Sequence, residues 1–154
     1  MNKLEKIMDK YSELAFNLKQ DMNDKHGAFI IDKDIYINGN NSYEQIIGNI
    51  GEELGHYETS VGDLTKLDTI EKQQQERRAR QWAYRYLVPL DDLIVCHKLG
   101  LIEYWEIADF LEITPQYLWE SINYYKEWKG LNFKYKECLF VFGIADSLKI
   151  IFPN

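Results

Sequence analysis

The sequence predicts a mostly helical α+β domain that spans residues 1–154. Several stretches carry apolar residues at the i, i+3, i+4, i+7 spacing of amphipathic helices, and one short stretch changes to β-branched runs. The apolar fraction is 45%, the aromatic fraction is 14% and only 3 residues are proline. This composition excludes a disordered or collagenous chain and predicts a hydrophobic core.

The first elements follow from the periodicity. Residues 3–23 place apolar side chains on one helical face and charged side chains on the other, which predicts an amphipathic helix. Residues 28–37 form two short β-branched runs around Asp32-Lys33-Asp34, which predicts a small hairpin or a strand with a bulge. Ser42 then opens a helix, with Gln45 as its capping-box partner, that runs to about Thr59.

The second half is again helical, and its tail is apolar. Helices are expected over 71–87, from Pro89 to Gly100, over 103–111 and over 115–128. Residues 139–152 are rich in β-branched residues and predict strands or an irregular C-terminal cover.

Charge and cysteine content exclude several classes of protein. The net charge is −7 and the sequence pI is about 5.0, which does not favour a basic groove for nucleic acid. Cys96 and Cys138 are not in a C-x-x-C motif, so a disulfide scaffold or cysteine zinc finger is not expected. There is no signal-peptide pattern and no apolar run of about 20 residues. We therefore expect a cytoplasmic protein without a membrane partner.

One helix carries a cluster of potential metal ligands. Because helical residues advance by about 100° each, Glu52 and His56 lie on one face, one turn apart. Glu53 leans to the side, where it can contact a bound water. The pattern is that of H-E-x-x-H with the first histidine replaced by glutamate. Taken alone, the pattern is better explained as an acidic helix face with one histidine, because such short patterns arise by chance.

A catalytic metal site needs a third protein ligand from another element. Glu76 is the best candidate, because it shares one face of the next helix with Ala79 and Arg80, and small residues there permit close packing. Weaker alternatives lie in or near the presumed loop: Asp63, Asp68 and Glu71. The glycines of the first helix predict the close approach of another backbone or a substrate. They are Gly48, Gly51 and Gly55.

Two segments together carry a resemblance to a known family. The sequence Ile50–Tyr57 reads IGEELGHY, and Glu76–Pro89 reads ERRARQWAYRYLVP. Together they resemble the ImmA/IrrE metallopeptidases, which are similar to gluzincins and carry a second motif E-x-x-A-x-x-[FW]-A-x-x-x-L-x-P. The order of elements is similar over residues 1–125, and residues 46–90 carry the specific part.

The resemblance implies roles for individual residues. Glu52, His56 and Glu76 would bind one divalent metal, zinc before manganese or iron, and Glu53 would be the general base. The commoner family pattern has histidine at position 52. A glutamate there makes a zinc site neutral and oxygen-rich, so we expect weaker zinc binding or a shifted pH optimum. Candidate donors to an oxyanion or substrate are His97, Tyr57 and Tyr84.

The resemblance also implies an architecture: a zincin-like metallopeptidase core over 1–100 with a small β-sheet, helix-turn-helix-like helices over 101–130 and a C-terminal cover over 131–154. Residues 107–125 carry the apolar spacing of a helix-turn-helix, with a second helix from Pro115. Residues 114–125 contain no lysine or arginine, whereas DNA affinity depends on phosphate contacts by cations. We therefore expect packing or partner binding rather than direct binding of nucleic acid.

Three functions compete at this point. The leading hypothesis is an endopeptidase of narrow specificity that cleaves a helix-turn-helix repressor of a prophage or mobile element, and so acts as an anti-repressor. The second is a non-catalytic module that keeps the fold and binds a repressor or another partner. The third is a DNA-binding regulator, which the charge argument disfavours.

Overall fold

The computed structural model describes residues 1–23, 25–60, 68–143 and 147–154. The chain divides into two compact units, Met1–Leu87 and Val88–Asn154. The prediction of one domain over 1–154, with its segments 1–100, 101–130 and 131–154, stays a prediction.

The first unit is an α+β arrangement with one small sheet and a pair of long helices. Its elements are α1 (Lys3–Lys10), β1 (Ala15–Lys19), β2 (Ala28–Ile31), β3 (Asp34–Asn38), α2 (Tyr43–Thr59) and α3 (Thr69–Leu87). Its largest fully buried side chains are Ile35, Ile37, Ile47, Ile50, Leu54 and Leu87. They come from β3, α2 and α3, so the core of this unit lies where the sheet meets the helix pair.

The sheet has the order β1-β3-β2. Strands β2 and β3 pair antiparallel, with Ile30 opposite Ile35, as the hairpin prediction requires. Asp32 begins the connecting turn with φ of 53°, a left-handed conformation that aspartate tolerates. The hairpin is confirmed, and β2 is left at one edge of the sheet.

The predicted helix over residues 3–23 is wrong beyond its first two turns. Helix α1 ends at Lys10, and β1 pairs parallel to β3, with Phe16 opposite Ile35. Tyr11, which caps the helix, is buried and its hydroxyl donates a hydrogen bond to Glu58 of α2 at 2.8 Å. Pairing in the sheet and burial of this ring override a helical periodicity that is only a weak local preference.

Helix α2 begins and ends as predicted. The Ser42 hydroxyl accepts a hydrogen bond from the backbone N–H of Gln45, whose side chain accepts one from Ser42 N–H. This capping box satisfies two N–H groups that a helix start otherwise leaves unpaired. The last residue is Thr59, whose hydroxyl donates to Gly55 O. Helix α3 begins two residues before its predicted start and ends at the predicted Leu87.

The second unit contains three helices and an antiparallel sheet. Its elements are α4 (Leu90–Lys98), α5 (Tyr104–Leu111), α6 (Pro115–Lys129), β4 (Asn132–Tyr135), β5 (Cys138–Phe142) and β6 (Leu148–Ile151). The sheet order is β4-β5-β6, and Phe140 at its centre is fully buried. The apolar tail thus forms β5 and β6, while β4 lies before the stretch for which strands were expected.

Local signals explain the helix boundaries of this unit. Gly100, which follows α4, has φ of 79°, the left-handed conformation expected after a helix end. Glu112 ends α5 in the same region, and Thr114 caps α6 by accepting from Tyr117 N–H. Helix α6 therefore begins at Pro115, as the sequence predicts; its helix-turn-helix character stays a prediction. Among the described residues, no helix combines the length and apolar character needed to cross a membrane.

Candidate metal centre

The candidate site begins with the close contact of α2 and α3. A Cβ atom added to Gly55 would overlap the backbone carbonyl of Ala79, and one added to Gly51 would lie 2.5 Å from Leu87 Cδ1. The close approach of another backbone, predicted from the glycines, is confirmed at Gly55, whereas Gly51 faces the side chains of Leu87 and Ala83. Because Gly51 faces the end of α3 and Gly55 an earlier turn, the helices run antiparallel.

This contact brings His56 and Glu76 together. His56 follows Gly55 directly, and Glu76 lies one turn before Ala79. The Nε2 atom of His56 is 3.2 Å from Glu76 Oε2. The imidazole is 14% exposed and the carboxylate 55%, so the histidine is fixed at the helix interface while the glutamate faces solvent. The sequence predicted this approach from helical spacing, across 20 positions of the chain.

The second nitrogen of His56 lies in a confined environment. Its Nδ1 atom is buried and has no hydrogen-bond partner within the part of the chain that the structure describes. A cavity of about 150 Å³ adjoins the ring; its described lining is His56, Lys72, Gln75 and Glu76. Gln75 is itself buried, and its Oε1 atom likewise lacks a partner among the described residues.

Glu52 is placed differently from His56, although both lie on one face of α2. Its Oε1 atom is 3.6 Å from Arg80 Nη2, so the carboxylate is ion-paired with α3. The side chains are 37% and 51% exposed. Solvent-exposed ion pairs of this kind contribute only about 0–1 kcal/mol. The Glu52 carboxylate is therefore engaged by a cation of the chain itself.

Among the carboxyl groups of the site, that of Glu53 has the most strongly shifted pKa. Its pKa is raised from 4.5 to about 7, first by burial and then by the negative charges of Glu52 and Glu76. Its carboxylate accepts a hydrogen bond from the backbone N–H of Ile30 in β2, which lowers the pKa and opposes part of the shift. A carboxyl group of this kind exchanges protons near neutral pH, as a general base must.

The donor atoms of His56 and Glu76 fit a divalent cation. Imidazole nitrogen and carboxylate oxygen are zinc ligands, and at ligand distances of about 2.0–2.2 Å two tetrahedral donors lie about 3.3 Å apart. The observed 3.2 Å agrees with that spacing. A third donor is not assembled beside them: across residues 1–23, 25–60, 68–143 and 147–154, no three His, Cys, Asp or Glu side chains form a metal-holding group. The ligand set Glu52, His56 and Glu76 thus stays a prediction.

The weaker third-ligand candidates have other surroundings. Asp68 and Glu71 form a reciprocal cap at the start of α3: Asp68 Oδ1 accepts from Glu71 N–H at 2.8 Å, and Glu71 Oε2 accepts from Asp68 N–H at 3.2 Å. Asp63 lies outside the described residues. Glu76 therefore remains the best candidate on α3.

Tyr57 and His97, two of the three proposed donors to an oxyanion or substrate, have hydrogen-bond partners other than Glu53 among the described residues. The Tyr57 hydroxyl donates to Glu13 at 3.4 Å, and Tyr84 is buried within the first unit. His97 belongs to the second unit, where Nδ1 lies 3.0 Å from Leu93 O and Nε2 lies 3.3 Å from Leu148 O. Their donor roles stay predictions.

Sequence reasoning missed two groups that act on the site. Arg80 was noted on the face of Glu76, but its pairing with Glu52 was not anticipated. The i, i+4 spacing of Arg80 and Glu76, opposite the same spacing of Glu52 and His56, is the signal that could have revealed it. The Ile30 N–H has no such signal, because only the three-dimensional packing of β2 brings it to Glu53.

One of three comparisons with known proteins gives a match. Neither the curated proteins nor the solved structures contain a significant match. The family model described as the IrrE N-terminal-like domain of the M78 peptidases matches residues 13–119, which is more than half of the chain. This span includes the capped helix with Glu52, Glu53 and His56 and the antiparallel helix with Glu76. The chain therefore belongs to the ImmA/IrrE family, whose shared domain is metallopeptidase-like.

Proposed function

We propose that the protein is a metal-dependent endopeptidase of narrow specificity that cleaves a DNA-binding repressor of a prophage or mobile element. The observation that carries the proposal is the 3.2 Å approach of His56 Nε2 to Glu76 Oε2 in a chain of the ImmA/IrrE family. Glu53 lies beside this pair and has a pKa near 7. Metal-assisted hydrolysis requires metal-binding side chains and, beside them, a general base that can change protonation state near neutral pH.

The residues that would hold the metal are His56 and Glu76, with Glu52 as the third. A divalent cation bound there supplies Lewis acidity towards water and the scissile carbonyl. Zinc is the first expectation because imidazole suits it, whereas a set with two carboxylates also suits manganese or iron.

Glu53 would move the proton. Its carboxylate can accept a proton from water and later give it to the leaving amine, because a pKa of about 7 makes both protonation states accessible at neutral pH. The backbone N–H of Ile30 donates a hydrogen bond to this carboxylate and favours its charged form. Ile30 belongs to β2, an edge strand of the three-stranded sheet that the described residues form.

The charge of the chain supports a basic protein substrate. With a net charge of −7, the protein attracts a cationic partner such as a DNA-binding repressor and repels nucleic acid itself. Helix α6 agrees with this, because residues 114–125 offer no lysine or arginine to phosphate. The proposed partner is therefore a protein.

A second candidate function, a partner-binding module without catalysis, is favoured by one observation. Glu52 is paired with Arg80 instead of completing a three-donor group with His56 and Glu76. A protein with this arrangement could bind the repressor through the same surface and sequester it uncut.

The substitution Glu53→Gln separates the two functions. The zinc-loaded protein and the variant would each be incubated with a purified helix-turn-helix repressor, and the products sequenced by mass spectrometry. Glu44→Gln, the same change at the start of α2, is the matched control. The enzyme hypothesis predicts one defined cut by the wild type and the control, and a loss of at least about 100-fold in Glu53→Gln.

Binding of the repressor would be measured in parallel by surface plasmon resonance. Equal binding by all three proteins, with no cut by any of them, would replace the enzyme with the binding module. Unchanged cleavage by Glu53→Gln would remove Glu53 from its role as base.

A further inference from the structure

The four charged or ligating residues between α2 and α3 form two pairs, one turn apart. Glu52 and His56 are i and i+4 on α2, while Glu76 and Arg80 are i and i+4 on α3. Because the helices are antiparallel, Glu52 meets Arg80 and His56 meets Glu76. Arg80 follows Ala79, whose backbone contacts Gly55, so its position at the site is fixed by the helix contact.

The contact between Arg80 and Glu52 has the properties of an exchangeable pair. Its 3.6 Å separation is longer than a hydrogen bond, and both side chains are partly exposed to solvent. Rotation about the side-chain bonds of Glu52 can therefore release it without unfolding or repacking the core.

The negative charges around the Glu52–Arg80 pair would also attract a divalent cation, which would compete with Arg80 for Glu52. Glu52, Glu53 and Glu76 lie close enough for Glu52 and Glu76 to act on Glu53 electrostatically. Arg80 is the cation that the described residues place within 4 Å of Glu52. A divalent cation at His56 and Glu76 would attract the same carboxylate more strongly and would repel the guanidinium.

We propose that Arg80 is a positioning residue that competes with the metal for Glu52 and thereby sets metal affinity. This inference rests on the proposed metal site of His56 and Glu76, which it deepens. Metal binding exchanges the Glu52–Arg80 ion pair for a Glu52–metal contact. Arg80 thus lowers the affinity of the site, and its effect depends on Glu52.

The test measures zinc affinity rather than activity. Purified wild type and Arg80→Gln would compete with a chromogenic chelator for Zn²⁺ at pH 7. Arg78→Gln removes the same charge from an exposed position about 160° around α3 from Arg80 and serves as the matched control. We expect Arg80→Gln to bind Zn²⁺ about five- to tenfold more tightly than wild type, and Arg78→Gln to bind within about twofold of it.

A double-mutant cycle with Glu52→Gln tests the dependence on Glu52. In the Glu52→Gln background, the effect of Arg80→Gln should shrink to about twofold or less, because no carboxylate remains for Arg80 to hold. An undiminished effect in that background would overturn the inference and leave only a general repulsion between Arg80 and the ion. Circular dichroism of each variant checks that the fold is retained.

The outcomes distinguish this inference from the proposed function. Zinc binding that is equal in wild type and Arg80→Gln overturns the inference and leaves the proposed metal site intact. The expected affinities without cleavage of any repressor support the role of Arg80 and overturn the peptidase. Failure of both proteins to bind zinc overturns both.

Discussion

The His56–Glu76 pair and the Glu52–Arg80 pair occupy equivalent places between the same two helices. Each joins α2 to α3, each lies within one turn of the Gly55–Ala79 contact, and their separations are 3.2 Å and 3.6 Å. One pair joins two metal-ligand types, and the other joins a carboxylate to a guanidinium. The packing of α2 against α3 brings the two side chains of each pair together in the same way. The chemistry of the side chains therefore decides which pair can bind an ion.

The largest expected effect comes from a change that disrupts both pairs. Gly55→Ala places a Cβ atom against the backbone of Ala79, so the helices must separate, and we expect about 3 kcal/mol of lost unfolding free energy. Gly51→Ala is the comparison variant: its Cβ meets the buried side chain of Leu87 instead of a backbone, and a gain of about 1 kcal/mol in helix propensity offsets part of the repacking, so a smaller loss is expected. Urea unfolding of both variants measures the difference. Equal stabilities would show that the Gly55 contact does not limit the helix spacing.

The next prediction compares how much each pair contributes to zinc binding, by replacing one residue of each. His56→Ala should lower zinc affinity by at least about 100-fold, because it removes a ligand from the assembled pair. Glu52→Ala should lower it less, since that carboxylate must first leave Arg80. Inductively coupled plasma mass spectrometry of untagged protein purified without chelator gives the metal content, with His26→Ala as the histidine control. Greater loss in Glu52→Ala than in His56→Ala would contradict this order.

Glu53 lies beside both pairs and should make chelator-treated protein less stable at higher pH. Its folded pKa of about 7 exceeds the ordinary 4.5, so the folded protein keeps a proton that the unfolded chain releases between these values. Stability therefore falls as pH rises through this window and levels off above 7.

Glu53→Gln should thus be more stable than wild type by roughly 1–2 kcal/mol at pH 8, and nearly equal to it at pH 4.5. Thermal unfolding at the two pH values, with Glu44→Gln beside it, tests the sign. A gain of the same size at both would mean that the charge of Glu53 is not its cause.

The smallest of these effects should come from giving the Glu52–Arg80 pair a second metal-binding histidine. Glu52→His removes the ion pair with Arg80 and supplies an imidazole, so zinc affinity should rise by up to about tenfold. The pH optimum of any peptidase activity should fall, because a more positive site lowers the pKa of bound water. Chelator competition and a pH profile test both points. An unchanged zinc affinity together with an unchanged pH profile would contradict the expected effect of Glu52 on the metal site.

The sequence was sufficient for those parts of the fold that local chemistry controls. The capping box of Ser42 and Gln45, the Asp32 turn and the end of α4 at Gly100 were predicted because each depends on residues within a few positions. The approach of His56 to Glu76 was also predicted, since helical spacing and small residues determine it. In each case the signal and the structure lie on the same element or on two adjacent helices.

The misses involve partners distant in sequence. Residues 15–19 have a helical period and nevertheless form β1, because β3 offers a partner that no local pattern reveals. Glu52 has the spacing of a ligand, yet its carboxylate lies against Arg80, because charge pairing across the helices depends on side-chain conformation. Helical spacing predicts which residues share a face, but not which neighbouring side chain each of them contacts.

The Gly55–Ala79 contact also bears on how such a site can change over evolutionary time. None of Glu52, His56, Glu76 and Arg80 belongs to the buried core, and the interhelical distance is held by residues that carry no functional group. Substitutions at these four positions can therefore exchange one metal preference for another, or abolish metal binding, at little cost to the scaffold. Under the proposed function, a lineage of such proteins would gain or lose peptidase activity by the change of a single residue and keep the same scaffold.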